Sequence, residues 1–203
     1  IKMNLKTFLL EDYYAKHEFN TQHMLSSSDP ESWSLSDILN MATDEERALW
    51  DNQRFGYTQT KGSFLLRKVI AEALYPELNA ENIVCFAGAQ EGIFCALLTL
   101  CTAEDHVIVL KPCYQSLNEI PRLVGCHLTA IDLKEEDSWR IDCAAIKSAI
   151  RSNTKVVIIN FPHNPTGQVV SPGELSELIT FLKERDIFLF SDEVYRLLGS
   201  HET

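Results

Sequence analysis

Signatures of metal binding and of disulfide bonding are missing from this 203-residue chain. Its six cysteines, at 85, 95, 101, 113, 126 and 143, form no C-x-x-C pair and mostly sit inside apolar runs. That usage reads as reduced packing residues, not disulfides or zinc ligands. The six histidines, at 17, 23, 106, 127, 163 and 201, show neither H-E-x-x-H nor another ligand spacing, so no metal site is expected. Positive charge is also short, with 18 Lys and Arg against 29 Asp and Glu and a net charge of −11. No basic patch offsets this, so neither nucleic acid nor an anionic membrane is an expected partner. An anionic small ligand is still allowed, because backbone N–H groups and one local cation can hold a phosphate inside an acidic protein. The longest apolar run, 93–100, is far too short to cross a bilayer. No signal peptide, internal repeat or low-complexity tract is visible. With 45% hydrophobic and 23% charged residues, the composition is that of an ordinary soluble globular protein with a sizeable core, expected in the cytoplasm.

What is present is concentrated between Thr154 and Tyr195. Val156 to Ile159 is β-branched throughout and too short for a buried helix, which predicts a strand covered on both faces. Ile187 to Phe190 has the same character. Between them, Leu175, Leu178, Ile179 and Leu182 fall at helical spacing and suit a crossover helix. Ligands in parallel α/β sheets collect at the carboxyl ends of strands, and Asn160, Asn164, Asp192 and Tyr195 lie just past two such ends.

The preceding chain extends this pattern. An amphipathic helix is expected over 5–18, a break at 26–30, and short helices over 36–41 and from a Thr43 cap with Glu46 in the capping-box position. A helix over 63–74 should turn Leu65, Leu66, Val69, Ile70 and Ala73 inward. Strands follow at 82–86, 106–110 and 127–131, with helices from 88 to about 100, over 115–123 and over 143–150. The fold class is therefore α/β, a mostly parallel sheet with crossover helices behind a helical arm. The expected division is an arm and partial small domain at 1–54, then an incomplete large domain at 55–203.

An aspartate at one strand end can pair with a protonated ring nitrogen. A tyrosine three residues on and an asparagine from the neighbouring strand end can donate to a ring oxygen. Together they suit a pyridinium-phenol ring. Asn164-Pro165 could otherwise be a plain turn, and Asp192 a helix cap. The segments N-P-T-G at 164–167 and S-D-E-V-Y at 191–195 resemble the pyridoxal-phosphate-dependent aminotransferases of fold type I (class I/II).

That resemblance implies pyridoxal 5'-phosphate as cofactor, with Asp192, Tyr195 and Asn164 as the catalytic groups at its ring. It implies a phosphate cup at Gly88, Ala89 and Gln90, where a strand, a small-residue turn and a helix start coincide, and a stacking aromatic at Tyr114. It further implies a homodimer in which Tyr57 reaches the phosphate of the other subunit, and a cis bond at Asn164-Pro165. Tyr57 and Tyr114 could otherwise be packing residues, and His163 in the F-P-H-N-P-T-G loop could line the site but reads first as a loop residue. The implied reaction moves an amino group between an amino acid and a 2-oxo acid. In that family a Schiff-base lysine and a carboxylate-binding arginine follow the aspartate, whereas all ten lysines here precede Asp192. The expectation is hence an N-terminal portion, inactive alone. A cofactor-binding interaction remnant and a lyase or decarboxylase of the same fold are the alternatives. The opening L-L-E-D-Y-Y-A-K-H-E-F, with S-S-S at 26–28 and the F-P-H-N-P variant, also resembles capreomycidine synthase-like members, which handle arginine-derived amino acids; a general aspartate- or aromatic-type aminotransferase is as defensible.

Overall fold

The β-branched run at 156–159 becomes a central strand of a sheet, beside the strand expected at 106–110. The computed structural model describes residues 6–199. In chain order its elements are α1 (Leu9–His17), α2 (Leu35–Met41), α3 (Asp44–Asp51), α4 (Phe64–Leu74), α5 (Ala89–Leu100), β1 (His106–Lys111), α6 (Gln115–Val124), β2 (His127–Asp132), α7 (Cys143–Ala149), β3 (Thr154–Asn160), α8 (Pro172–Lys183) and β4 (Phe188–Asp192). The strands pair in parallel in the order β2-β1-β3-β4. Among the described residues no helix is long and apolar enough to cross a membrane.

Alternation along the central strands builds a layer on each face. Val107, Val109, Val156 and Ile158 pack against Ile93 and Leu97 of α5 and Leu117 and Ile120 of α6. Ile108, Leu110, Val157 and Ile159 pack instead against Ile146 of α7 and Leu178 and Leu182 of α8. Each such side chain contributes about 1.5–3 kcal/mol on leaving water, which explains why the middle runs of β1 and β3, 107–110 and 156–159, are wholly apolar. The crossover helix α8 starts at a capping box between Ser171 and Glu174 with Pro172 in its first turn. Leu175, Leu178 and Leu182 join the core, but Ile179, expected on that face, is exposed.

Several expectations are corrected here. The strand expected at 187–190 is an outer strand with Phe188 exposed, because β3 alone pairs with it among the described strands. The strand expected at 82–86 does not form: a 3-10 turn spans Ala80–Asn82, and Cys85 N–H donates to the Lys61 carbonyl at 2.8 Å. Without a neighbouring ladder in the described chain, an extended run stays a loop. Helix α4 buries Arg67 and Ala71, not Leu65, Leu66, Val69 or Ala73. Arg67 Nε donates to the Gly62 carbonyl at 3.0 Å, and Nη1 reaches the Ala80 carbonyl and Glu81. A guanidinium bonded to backbone carbonyls decides which face turns inward there. The capping box at Thr43 and Glu46 forms as expected. Helix α1 begins at Leu9; Leu5, its expected start, lies outside the described residues.

The compact units follow contacts that span the sequence. Among the described residues, 29–87 form one, and 6–28 with 88–199 form the other, a division different from the boundary expected at 54/55. The arm joins the sheet unit because Gln115 clamps it twice: Nε2 donates to the Thr7 carbonyl at 2.9 Å, and Oε1 accepts from Leu9 N–H at 3.2 Å.

At the amino ends of the strands, His106 is fully buried and hydrogen-bonds Thr154 Oγ1 and Thr129 Oγ1, each at 2.8 Å. Burial, reinforced by the Arg151 charge, lowers its pKa below the ordinary 6.5. A depressed histidine contributes stability above the unfolded value and loses it as pH falls toward the folded one. The free energy of urea unfolding should therefore drop between pH 7.5 and 5.5, and His106→Asn should flatten that slope. An unchanged slope would remove His106 from the account.

Candidate active site

At their carboxyl ends, β3 and β4 stop side by side, with Asn160 paired in register to Asp192. Asn160 is only 3% exposed. Its Nδ2 donates to the Asp192 carbonyl at 2.9 Å, and its Oδ1 accepts from Asn164 N–H at 3.1 Å. One buried amide thus joins both strand ends to the turn between β3 and α8. That turn carries cis bonds at Phe161-Pro162 and, as expected, at Asn164-Pro165.

His163 holds the turn from its other side. A carbonyl can only accept, so Nε2 donates to Pro112 at 2.8 Å, leaving Nδ1 to accept from the Thr166 hydroxyl at 2.7 Å. Burial depresses its pKa and keeps the ring neutral near pH 7. Pro112 lies two residues before Tyr114, the residue that opens α6, so this imidazole couples the asparagine turn to the tyrosine loop.

The turn presents Asn164 to Tyr195, with Nδ2 donating to the phenol oxygen at 3.1 Å. Tyr195 also hydrogen-bonds Ser28 Oγ of the arm at 2.8 Å. Asp192 Oδ1 accepts from Val194 N–H at 3.2 Å. Burial raises its pKa, partly offset by that bond and augmented by Glu193. The Tyr114 hydroxyl donates to Glu11 Oε1 at 3.3 Å. Burial, then the Glu11 charge, push the phenol up to about 12, so it keeps its proton at neutral pH.

Helix α5 opens at Gly88, whose φ of +127° is a conformation L side chains rarely adopt. Glycine offers no side-chain cap, so the first N–H groups of α5 lack a partner of that kind. Gln90 is held by the Ser116 hydroxyl, which donates to its Oε1.

These pieces enclose a cavity of about 250 Å³. Ala89, Tyr114, Asn160, Asn164, Asp192 and Tyr195 line it from the sheet, and Leu10, Glu11, Tyr14 and Ser28 from the arm. The structure therefore brings together six of the residues singled out from the sequence, Ala89, Tyr114, Asn160, Asn164, Asp192 and Tyr195, with Gly88 and Gln90 flanking Ala89. Tyr57 belongs to the other unit, where it is fully exposed. The buried amide of Asn160 and the arm residues Glu11 and Ser28 had been assigned no role. Asn160 had been named only as a polar residue at the end of an apolar strand, without its part in joining the two strand ends. The arm carries no local signal, since its anchors to Gln115 lie more than a hundred residues away.

A model of the aminotransferase class I and II family matches residues 21–203. The chain belongs to the class I and II aminotransferases. Within that family it is 32% identical to an aspartate aminotransferase of Sulfurisphaera tokodaii over 145 residues, covering 69% of this chain and 36% of that protein. A probable kynurenine–oxoglutarate transaminase of Saccharomyces cerevisiae is 35% identical over 156 residues, covering 70% of this chain and 35% of its own. Among solved structures, a PLP-dependent aminotransferase from Streptococcus suis superposes with a TM-score of 0.88 at 29% identity, covering 98% of this chain and 54% of that one. This aminotransferase chain therefore spans between about a third and a half of the relatives it matches.

Proposed function

We propose that the chain contributes one wall of a pyridoxal phosphate site serving amino-group transfer between an amino acid and a 2-oxo acid. The observation supporting this most directly is the single cavity shared by a half-buried carboxylate, a paired amide and phenol, an aromatic ring and the start of a helix. The donor set fits the cofactor. Asp192 would accept from the ring N–H, and Asn164 and Tyr195 would donate to the ring oxygen. The face of Tyr114 would cover an electron-poor ring. The N–H groups following Gly88, at the positive end of α5, would take the phosphate. When bound, the cofactor supplies an electron sink for breaking bonds at the substrate α-carbon. The protein's own share is to hold the ring nitrogen protonated, orient the ring and exclude water. Tyr57 would complete the phosphate site of a second subunit in a homodimer, and six free thiols accord with a cytoplasmic setting.

Equilibrium dialysis and visible absorbance with pyridoxal phosphate test this. Binding should be saturable, and weaker for pyridoxal, which lacks the phosphate. Asn164→Ala and Tyr195→Phe should each weaken it by roughly 3- to 10-fold, the size of one hydrogen bond, and shift the absorbance band. Absent or variant-insensitive binding would overturn the assignment. No lysine lines the cavity among the described residues. The 203-residue polypeptide alone should therefore bind reversibly and show no turnover. A borohydride-stable pyridoxyl-lysine would contradict that.

A further inference from the structure

We infer that His163 is a positioning residue for the cofactor site: through Nε2 it holds the loop that carries Tyr114, and so sets how closely that ring covers the cofactor. This rests on the cofactor site proposed above and adds a residue that acts on it through another. Strands β1 and β3 are neighbours in the sheet, so the loop after β1 and the turn after β3 leave it side by side. His163 stands between them, 3% exposed, and is not among the residues lining the cavity that Asp192 and Tyr195 share. Its Nε2–H reaches the Pro112 carbonyl, 51 residues away in the chain and two before Tyr114.

The turn does not depend on this side chain for its shape. Its own backbone closes it: His163 N–H donates to the Gln168 carbonyl and Gly167 N–H to the His163 carbonyl, each at 2.8 Å. Asn160 Oδ1 anchors the Asn164 N–H from the sheet. What the imidazole adds is the tie across to Pro112. Tyr114 meets the arm, where its ring lies 5.2 Å from that of Phe8 and its hydroxyl donates to Glu11. His163 holds the same loop from the side of the asparagine turn. A neutral imidazole suits this task, because one rigid ring donates at one nitrogen and accepts at the other. The Thr166 hydroxyl fills Nδ1 at 2.7 Å, and the Phe161 ring packs 5.5 Å away. Positioning of Tyr114 therefore travels through Nε2, while Nδ1 serves the turn to which His163 belongs.

Glutamine and asparagine separate the two nitrogens. A glutamine amide reaches where Nε2 stands and can still donate to Pro112, whereas an asparagine amide reaches only as far as Nδ1. Pyridoxal phosphate is titrated into the 203-residue chain by equilibrium dialysis, and the induced circular dichroism of the bound chromophore reports the orientation of its ring. His163→Asn should weaken binding roughly 3- to 10-fold, the size of one hydrogen bond, and change the dichroism per bound cofactor. His163→Gln should restore most of both. In a Tyr114→Leu background, His163→Asn should lower affinity no further, although urea unfolding still shows it destabilised. Should His163→Asn not fold, His163→Leu, which also lacks the donor, takes its place with the same expectations. No loss with the donor-free variant, an equal loss with His163→Gln, or losses that add in full to that of Tyr114→Leu overturn this inference and leave the cofactor site standing. A native chain that binds no cofactor overturns both.

Discussion

Replacing Asp192 by asparagine should move stability and cofactor affinity in opposite directions. In the chain alone, burial raises the Asp192 pKa above its usual 3.8. Folding therefore favours the protonated acid. The associated stability is fully present below the unfolded value and is lost as pH rises through the folded one. At pH 7.5 the native chain carries an under-solvated carboxylate, whereas Asp192→Asn is neutral and its Oδ1 can still accept from Val194 N–H. Urea unfolding should show the variant more stable at pH 7.5, with the gap closing as pH approaches 3.8. Affinity for pyridoxal phosphate should fall roughly 10- to 150-fold, equivalent to the ~1.5–3 kcal/mol of a hydrogen bond to a charged group. If stability and affinity fell together, Asp192 would be a structural capping residue and the ring contact would have to be assigned elsewhere.

Replacing Asn160, here by leucine, should produce the largest stability loss in the site. The substitution preserves volume but leaves the Asp192 carbonyl and the Asn164 N–H without their buried partner. Unsatisfied buried groups cost about 1–3 kcal/mol each, so the variant should lose roughly 2–5 kcal/mol in urea unfolding at pH 7.5. Cofactor affinity should fall as well, because the turn that aims Asn164 at Tyr195 loses its anchor. Asn160→Asp separates the two bonds: it keeps the acceptor for Asn164 N–H and loses the donor to Asp192. At pH 7.5 it also buries a charge against the Asp192 carbonyl oxygen, so its stability should fall at least as far as that of Asn160→Leu and recover as the pH is lowered. A loss under about 1 kcal/mol for Asn160→Leu would mean that water replaces the amide and that the strand ends are held by their ladder alone.

These two predictions draw on different amounts of sequence information. Asp192 could be picked out beforehand because an acid after an apolar strand, one crossover beyond an Asn-Pro-Thr-Gly turn, is a local pattern. Asn160 sits in the same pattern, yet nothing in it reveals that one amide bridges two strands. Tyr57 was singled out on equally local grounds, and its proposed role concerns a second subunit. The face of α4 shows the reverse problem. Its apolar spacing is genuine, but Arg67 finds the Gly62 and Ala80 carbonyls and takes the inward position.

The sequence by itself determined the two central strands, the crossover helix between β3 and β4, the capping boxes and the polar residues at the strand ends. Each depends on neighbours within a few positions, where side-chain period and backbone preference act directly. Only the tertiary structure decided that β4 is outermost among the described strands, that 82–86 pairs with none of them, and that the arm brings Glu11 and Ser28 to the cavity. Those outcomes depend on partners tens to more than a hundred residues away. An edge strand and a central one can share the same apolar run, so only the ladder beside them tells them apart.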